Sequence, residues 1–481
     1  MTRVAIVGAG FAGVGMAATL LRDGVEDLVV LEKGPTAGGV WRENRYPGAA
    51  VDVPSDLYSF SFERRYPFAR RYGEQRELLA YLLHCADKYG VTPRLRCNAE
   101  VTRATWQDPG WRLELAGGET LEADVVIAAC GALSVPQPPQ IPGVGSFDGP
   151  AFHSAHWPED FEVAGQRIAV VGTGASAIQI VPAIAGAAAR VDVYQRTPPW
   201  IGPKTDKDDF AGRPRALEAA GRLYAWLFFE SFTSGFTGRG WALMPLRAYA
   251  RAHLRRQVRD PELRRRVTPD YPVGCKRLLV SSDWYPALAR DDVELITDPI
   301  ETITPLGIRA GAERAYDAIV YATGFRTGGF VAPMEVVGAG GRSLAADAWA
   351  TGAEAYLGIS VAGFPNLFLL YGPNTNLGSG SIVYMLECQM RYVADALRRL
   401  RDEGLAWVDV RDAVHRAFAD EMQERLEDSV WMQCDSWYRV EGGRVTTNWP
   451  GSMTEYRRRT ARLRPAAYRA RSATAPAAPR R

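Results

Sequence analysis

The sequence predicts an α/β fold made of two Rossmann-like dinucleotide-binding domains with a helical insertion. The first observation behind it is a repeated pattern. Val4-Ala5-Ile6-Val7-Gly8-Ala9-Gly10-Phe11-Ala12-Gly13 and Ile168-Ala169-Val170-Val171-Gly172-Thr173-Gly174-Ala175-Ser176-Ala177 each read as an apolar strand, a glycine turn and the start of a helix. The second is the spacing. Each copy closes on another apolar strand, and the middle glycine precedes the closing residue by 22 positions in both, from Gly10 to Glu32 and from Gly174 to Arg196.

The glycines permit a tight turn and close backbone approach, which lets a pyrophosphate sit on the helix N-terminus. Ala177 replaces the last glycine of the second copy and is small enough for the packing position it fills. The closing residues assign the nucleotides. A carboxylate, Glu32, suits a ribose 2′-hydroxyl, whereas the guanidinium of Arg196 pairs with a 2′-phosphate. The first site therefore reads as FAD, with Gly8, Gly10, Phe11, Gly13 and Glu32 as contacts. The second reads as NADPH, with Gly172, Thr173, Gly174, Ala175, Ser176, Gln179, Arg196 and Thr197.

With 481 residues, 47% hydrophobic and 23% charged, the chain has the composition of an ordinary globular protein of about three domain-equivalents. A net charge of +2 argues against a dedicated nucleic-acid binder. The six cysteines are scattered without CxxC pairing. That points to a reducing cytoplasm and against a disulfide reductase or a zinc site; no metal site is expected. No apolar run is long enough for a membrane helix. Lysines are few, only Lys33, Lys88, Lys204, Lys207 and Lys276, so Lys276 stands out.

Along the chain, a loop-rich stretch from Gly38 to Phe62 precedes a predicted helix around Gln75–Tyr89 and an apolar strand ending near Cys130. The proline-rich Pro136–Gly143 marks a boundary. The expected organisation is an FAD-binding first part over 1–145 and an NADP-binding first part over 146–213. A helical insertion over 214–267 follows, then second parts of the NADP domain (268–327) and the FAD domain (328–465). The Arg, Ala and Pro composition of 466–481 predicts a disordered tail. In the insertion Tyr224, Trp226, Phe228, Phe229, Phe232 and Phe236 fit a packed aromatic core best. A lid over an apolar substrate and a membrane-surface helix are its other two readings.

Between the two nucleotide units, Phe147, Gly149, His153, Trp157 and Pro158 form an FxGxxxHxxxWP pattern. Here the chain resembles the Baeyer–Villiger monooxygenases, relatives of the flavin-containing monooxygenases, and the resemblance runs from Ile6 to about Tyr456. On the residues alone His153 is a linker histidine held by backbone. The resemblance implies that Gly39, Val40, Trp41, Asp52 and Tyr58 line the flavin and that Val101 offers backbone to its adenine. In Gly274-Cys275-Lys276-Arg277 it makes Lys276 a second 2′-phosphate contact and Arg277 the active-site arginine, and in Cys434–Tyr438 it places Trp437 over the nicotinamide. Two positions depart from the family pattern: Cys130 occupies a threonine place, and Ser379 falls where some members carry histidine.

The activity so implied is insertion of one oxygen atom from O2 beside the carbonyl of a small ketone, giving an ester or lactone via a C4a-peroxyflavin. Arginine suits it because it stays charged and can hold an oxygen anion in a desolvated site, with Asp52 orienting it as the second catalytic residue. The alternatives are an N- or S-oxidising flavin monooxygenase and an NADPH-dependent flavin reductase. The Lys276-Arg277 pair has no evident role in the latter.

Overall fold

The computed structural model describes residues 2–206, 214–440 and 442–473. Its frame is two five-stranded sheets with parallel pairing throughout. The first runs Leu367–Leu369, Val125–Ala128, Val4–Val7, Leu28–Leu31 and Leu95–Arg96 in spatial order. The second runs Val293–Ile296, Arg190–Tyr194, Arg167–Val171, Ala318–Tyr321 and Ala151–His153. Continuous apolar runs such as Val4–Val7, buried at every position, are what a sheet covered on both faces demands.

On one face of the first sheet the helix Phe11–Arg22 packs against the 21-residue helix Ile382–Asp402. Gly15 makes that approach possible, because a Cβ there would come within 2.6 Å of Met390 and Phe60. Antiparallel strands Val101–Gln107, Gly110–Leu115 and Thr120–Ala123 supply the other face, where Trp111 is buried. The first unit is thus completed by Leu367–Leu369, a strand from far downstream that pairs with Val125–Ala128. Between the sheets, His153 is held by backbone as its linker position predicts. Its Nε2 lies 2.9 Å from Gly324 O, and its Nδ1 accepts from Ala155 N.

Two sequence expectations need correction. The insertion is helical, with Arg215–Ser231, Met244–Gln257 and Pro261–Arg266, but its aromatics do not form one core. Phe236 is buried and stacks on Trp431, whereas Tyr224 and Phe228 face solvent. The tail was expected to be disordered from 466, yet Tyr468–Ser472 is a strand antiparallel to Leu405–Val410. Tyr468 is buried with its hydroxyl on Ser360 and Tyr392, and Arg469 pairs with the buried Asp409. A few apolar and charged anchors outweighed a composition that suggests disorder. The remainder of the expected tail, 474–481, lies outside the described residues.

Candidate active site

Both glycine turns are built alike. Gly8 has φ +105° and Gly172 has φ +112°, and a Cβ at either would lie within 2.6 Å of a carbonyl on the neighbouring strand, Ala129 O or Ala322 O. Gly13 leaves no space at all, since its Cβ would meet Gly8 O at 1.8 Å. By contrast nothing lies within 4 Å of a Cβ placed on Gly174, leaving room above the second turn. The helices that follow, Phe11–Arg22 and Ala177–Ile184, have no acidic residue in the first turn and no side chain capping them. Their first N–H groups are therefore available to an anion, which is the fit a pyrophosphate requires.

The closing residues differ. Glu32 is 4% exposed, and its carboxylate accepts from Ala9 N (2.8 Å), Gly34 N (2.9 Å) and Arg42 Nη1 (2.9 Å). The segment before Val101 is tied to the same corner, since Ala99 N donates to Glu32 O and Asn98 N to Gly34 O. Arg196 is exposed. Burial and the charge of nearby Arg196 hold the Lys276 amine below the usual lysine range. Two cations kept close together fit a dianionic 2′-phosphate. Thr173 and Thr197 join through Thr173 Oγ1 donating to Thr197 O at 3.0 Å.

Gln179, expected to contact NADPH, reaches from the second unit to the first. Its amide donates to Ala50 O and accepts from Ala50 N, at 3.2 and 3.0 Å. It thereby ties the second unit to the loop that carries Asp52. Gly48 permits this contact, with φ +80° and a would-be Cβ 2.6 Å from Gln179 O.

Arg277 reaches across this junction. Its Nε and Nη2 both donate to Asp52 Oδ2, at 2.8 and 2.6 Å, and both side chains are half-buried. Asp52 raises the arginine's proton affinity further, so the guanidinium is a permanent charge. Adjacent in the chain, Lys276 lies near Arg196 while Arg277 binds Asp52. Three phenols surround the pair. Burial pushes Tyr58 and Tyr438 up to about 12 and raises Tyr371 as well, so all three stay neutral. Tyr58 also accepts from Trp41 Nε1 at 3.3 Å and packs edge-on against Phe11.

Tyr371 and Tyr438 were not singled out as site residues from the sequence. Tyr371 carried a retrospective signal: it has φ +61° just before Gly372-Pro373, and such backbone strain collects at functional loops. Its hydroxyl donates to Asn376, which bonds Asn448, so the C-terminal loop is anchored beside Arg277. In that loop Trp437 is 43% exposed with its ring 4.1 Å from Tyr438, and its carbonyl accepts from Thr327.

The scattered cysteine spacing, with no CxxC pair and read as fitting a reducing cytoplasm, did not point to a disulfide, yet one is present. Cys275 and Cys434, 159 residues apart, form a disulfide with Cα atoms 6.2 Å apart. It joins the segment bearing Lys276 and Arg277 to the loop bearing Trp437 and Tyr438. Cys85, Cys97, Cys130 and Cys388 are free.

Comparison with known proteins agrees with this fold. Residues 5–211, which hold both glycine turns, match the family described as pyridine nucleotide-disulphide oxidoreductase. A Baeyer–Villiger monooxygenase of Streptomyces coelicolor is 43% identical over 97% of this chain and 92% of its own length. Oxidized steroid monooxygenase bound to NADP superposes with a TM-score of 0.87 at 29% identity, covering 98% of this chain and 99% of its own. The OTEMO complex with FAD and NADP does so at 0.86 and 26% identity, covering 96% and 97%. The chain belongs to the Baeyer–Villiger monooxygenase family of FAD- and NADPH-dependent flavoproteins.

Proposed function

We propose that Arg277, oriented by Asp52, is the residue on which insertion of oxygen beside a ketone carbonyl depends, and that the product is an ester or lactone. The observation that carries this is the double hydrogen bond from Arg277 to one Asp52 oxygen, at the junction of the two nucleotide cradles and among three neutral phenols. FAD held by the first cradle would, with NADPH as reductant, supply the oxygen chemistry. The chain's own residues do the rest. Arg277 offers a fixed cation to an oxygen anion without being able to lose its proton. Asp52 keeps that charge paired through Oδ2 alone, leaving one guanidinium nitrogen, Nη1, outside the pair. Tyr58, Tyr371 and Tyr438 help exclude water while adding no negative charge, and water exclusion strengthens every electrostatic contact inside.

In this reading Gly8, Gly10, Phe11, Gly13, Glu32, Gly39, Val40, Trp41, Tyr58 and Val101 hold FAD. Gly172, Thr173, Gly174, Ala175, Ser176, Arg196, Thr197 and Lys276 hold NADPH, and Trp437 covers the nicotinamide. Gln179 acts as a positioning residue between the two units, on the strength of its bonds to Ala50. The domain limits follow the same division, with the FAD part interrupted by the NADP part and its insertion. Dependence on NADPH supports a cytoplasmic location; among the described residues no helix is long and apolar enough to cross a membrane.

The decisive experiment is Arg277→Ala. Bound FAD and its bleaching by NADPH should persist. Ester formation should fall by about 10²–10³, the usual value of one fixed anion-stabilising donor, and oxygen should be diverted to hydrogen peroxide. Normal ester yield from the variant would overturn the assignment.

A further inference from the structure

The helix Arg215–Ser231 is turned inside out relative to a surface helix of a globular protein. Two of its charged side chains, Arg222 and Glu230, serve the protein side. Arg222 donates to Asp56 O and Ser59 O, and Glu230 accepts from Met453 N and Thr454 N at 3.0 Å each, holding the start of the helix Met453–Arg459. Among the residues from Ala216 to Ser231, those that are exposed carry no charge: Leu217 (57% exposed), Leu223, Tyr224 (63%), Leu227 (53%) and Phe228, with only Ala and Ser beside them. Single exposed apolar residues are ordinary, but a whole helix face of them marks a binding surface.

The next segments extend the pattern and add charge. Trp241 is 73% exposed, and the exposed positions of Met244–Gln257 are uncharged until Arg255 and Arg256 in its last turn. From Ser231 to Arg259 the chain holds six arginines (Arg239, Arg247, Arg251, Arg255, Arg256, Arg259) and no Asp or Glu. None of the six forms an ion pair with a described residue; Arg251 lies over the Trp200 ring.

We propose that the insertion docks the enzyme on an anionic lipid surface, with the exposed face of Arg215–Ser231 and Trp241 entering the headgroup–acyl boundary and the arginines meeting lipid phosphates. An uncharged helix face with interfacial aromatics beside a purely basic segment is the chemistry that recognises such a surface. A second copy of the chain fits less well. A two-fold contact sets the same patch against itself, and between Ser231 and Arg259 no carboxylate answers the arginines. The proposal is independent of the reaction assigned to Arg277.

The test is flotation of the purified holoenzyme with vesicles of phosphatidylcholine alone or of phosphatidylcholine mixed with phosphatidylglycerol. The enzyme should float with the mixed vesicles, weakly with the neutral ones, and be released by salt. Leu227→Glu with Phe228→Glu should reduce binding about tenfold or more while FAD content and turnover of a water-soluble ketone stay unchanged. Trp241→Ala, a milder change at a more exposed site, should weaken binding several-fold. Arg255→Glu with Arg256→Glu should abolish the preference for phosphatidylglycerol. Failure of the native enzyme to float, or equal flotation of all variants, would overturn the proposal. So would light scattering showing a dimer that the Leu227→Glu, Phe228→Glu variant dissociates, because the face would then belong to a second copy.

Discussion

The two nucleotide units share a turn, a strand order around it and a spacing, yet they finish in opposite electrostatic conditions. In the first unit Glu32 is buried and already satisfied by two backbone N–H groups and Arg42. In the second, Arg196 is exposed and stands close enough to Lys276 to depress its pKa. A charge satisfied within its own fold builds a rigid wall for a cofactor that stays. Charges that repel one another are relieved when an anion arrives, which suits a coenzyme that binds, delivers its hydride and leaves. In the proposed assignment the same backbone device serves a permanent and a visiting nucleotide, and the difference lies in who completes the charge.

Breaking the satisfied side should cost most. Glu32→Ala leaves Ala9 N, Gly34 N and the Arg42 guanidinium without their buried acceptor, a change typically worth about 3–5 kcal/mol. The purified variant should lose most of its yellow colour and melt lower, with FAD added back restoring it only in part. Full flavin content with unchanged melting would show that the pre-satisfied wall is not needed.

On the open side, Arg196→Ala should leave flavin content untouched. It should lower kcat/KM for NADPH by about 10- to 100-fold, the range for one charge-assisted phosphate contact of ~1.5–3 kcal/mol, and barely alter NADH. Equal use of the two nucleotides by the native enzyme would remove the basis of the contrast.

The depressed Lys276 pKa adds a pH test. Only the charged amine attracts a phosphate, so KM for NADPH should rise with pH earlier than an ordinary lysine dictates, while KM for NADH stays flat. Arg196→Ala removes one of the two causes of that depression and should move the rise to higher pH. A KM for NADPH independent of pH into the alkaline range would exclude Lys276 as a phosphate contact.

The smallest effect is expected from the disulfide, which tethers the Lys276-Arg277 segment to the loop carrying Trp437 without touching either cradle's glycine turn. Cys434→Ser, or mild dithiol treatment, should raise KM for NADPH a few-fold and increase hydrogen peroxide leakage, with FAD content constant. No change in either would make the tether purely structural.

The Asp52–Arg277 pair shows how the site divided between sequence and structure. Both residues were named from the motifs around them, but they lie 225 positions apart, and nothing local says that two guanidinium nitrogens converge on one carboxylate oxygen. Tyr371 sits in an ordinary-looking apolar segment and gained its place beside Arg277 only through a loop anchored by Asn376 and Asn448. Gln179 belongs to a nucleotide motif by position, and its amide also binds Ala50, a link between the two units that only the packing at Gly48 reveals.

What the sequence determined by itself was whatever is written in neighbouring residues. The apolar strands, the glycine turns and the opposite charges of Glu32 and Arg196 follow from local sterics and from side-chain type at a fixed spacing. Tertiary structure alone decided the pairings across the chain: Cys275 with Cys434, Tyr468–Ser472 with Leu405–Val410, and which face of Arg215–Ser231 meets solvent. Cysteine spacing does not encode connectivity, and a terminal strand is stable only once its partner edge exists. A helix carrying both apolar and charged residues buries whichever side finds partners, and here Asp56, Ser59 and the 453–454 backbone offered hydrogen bonds to its charges.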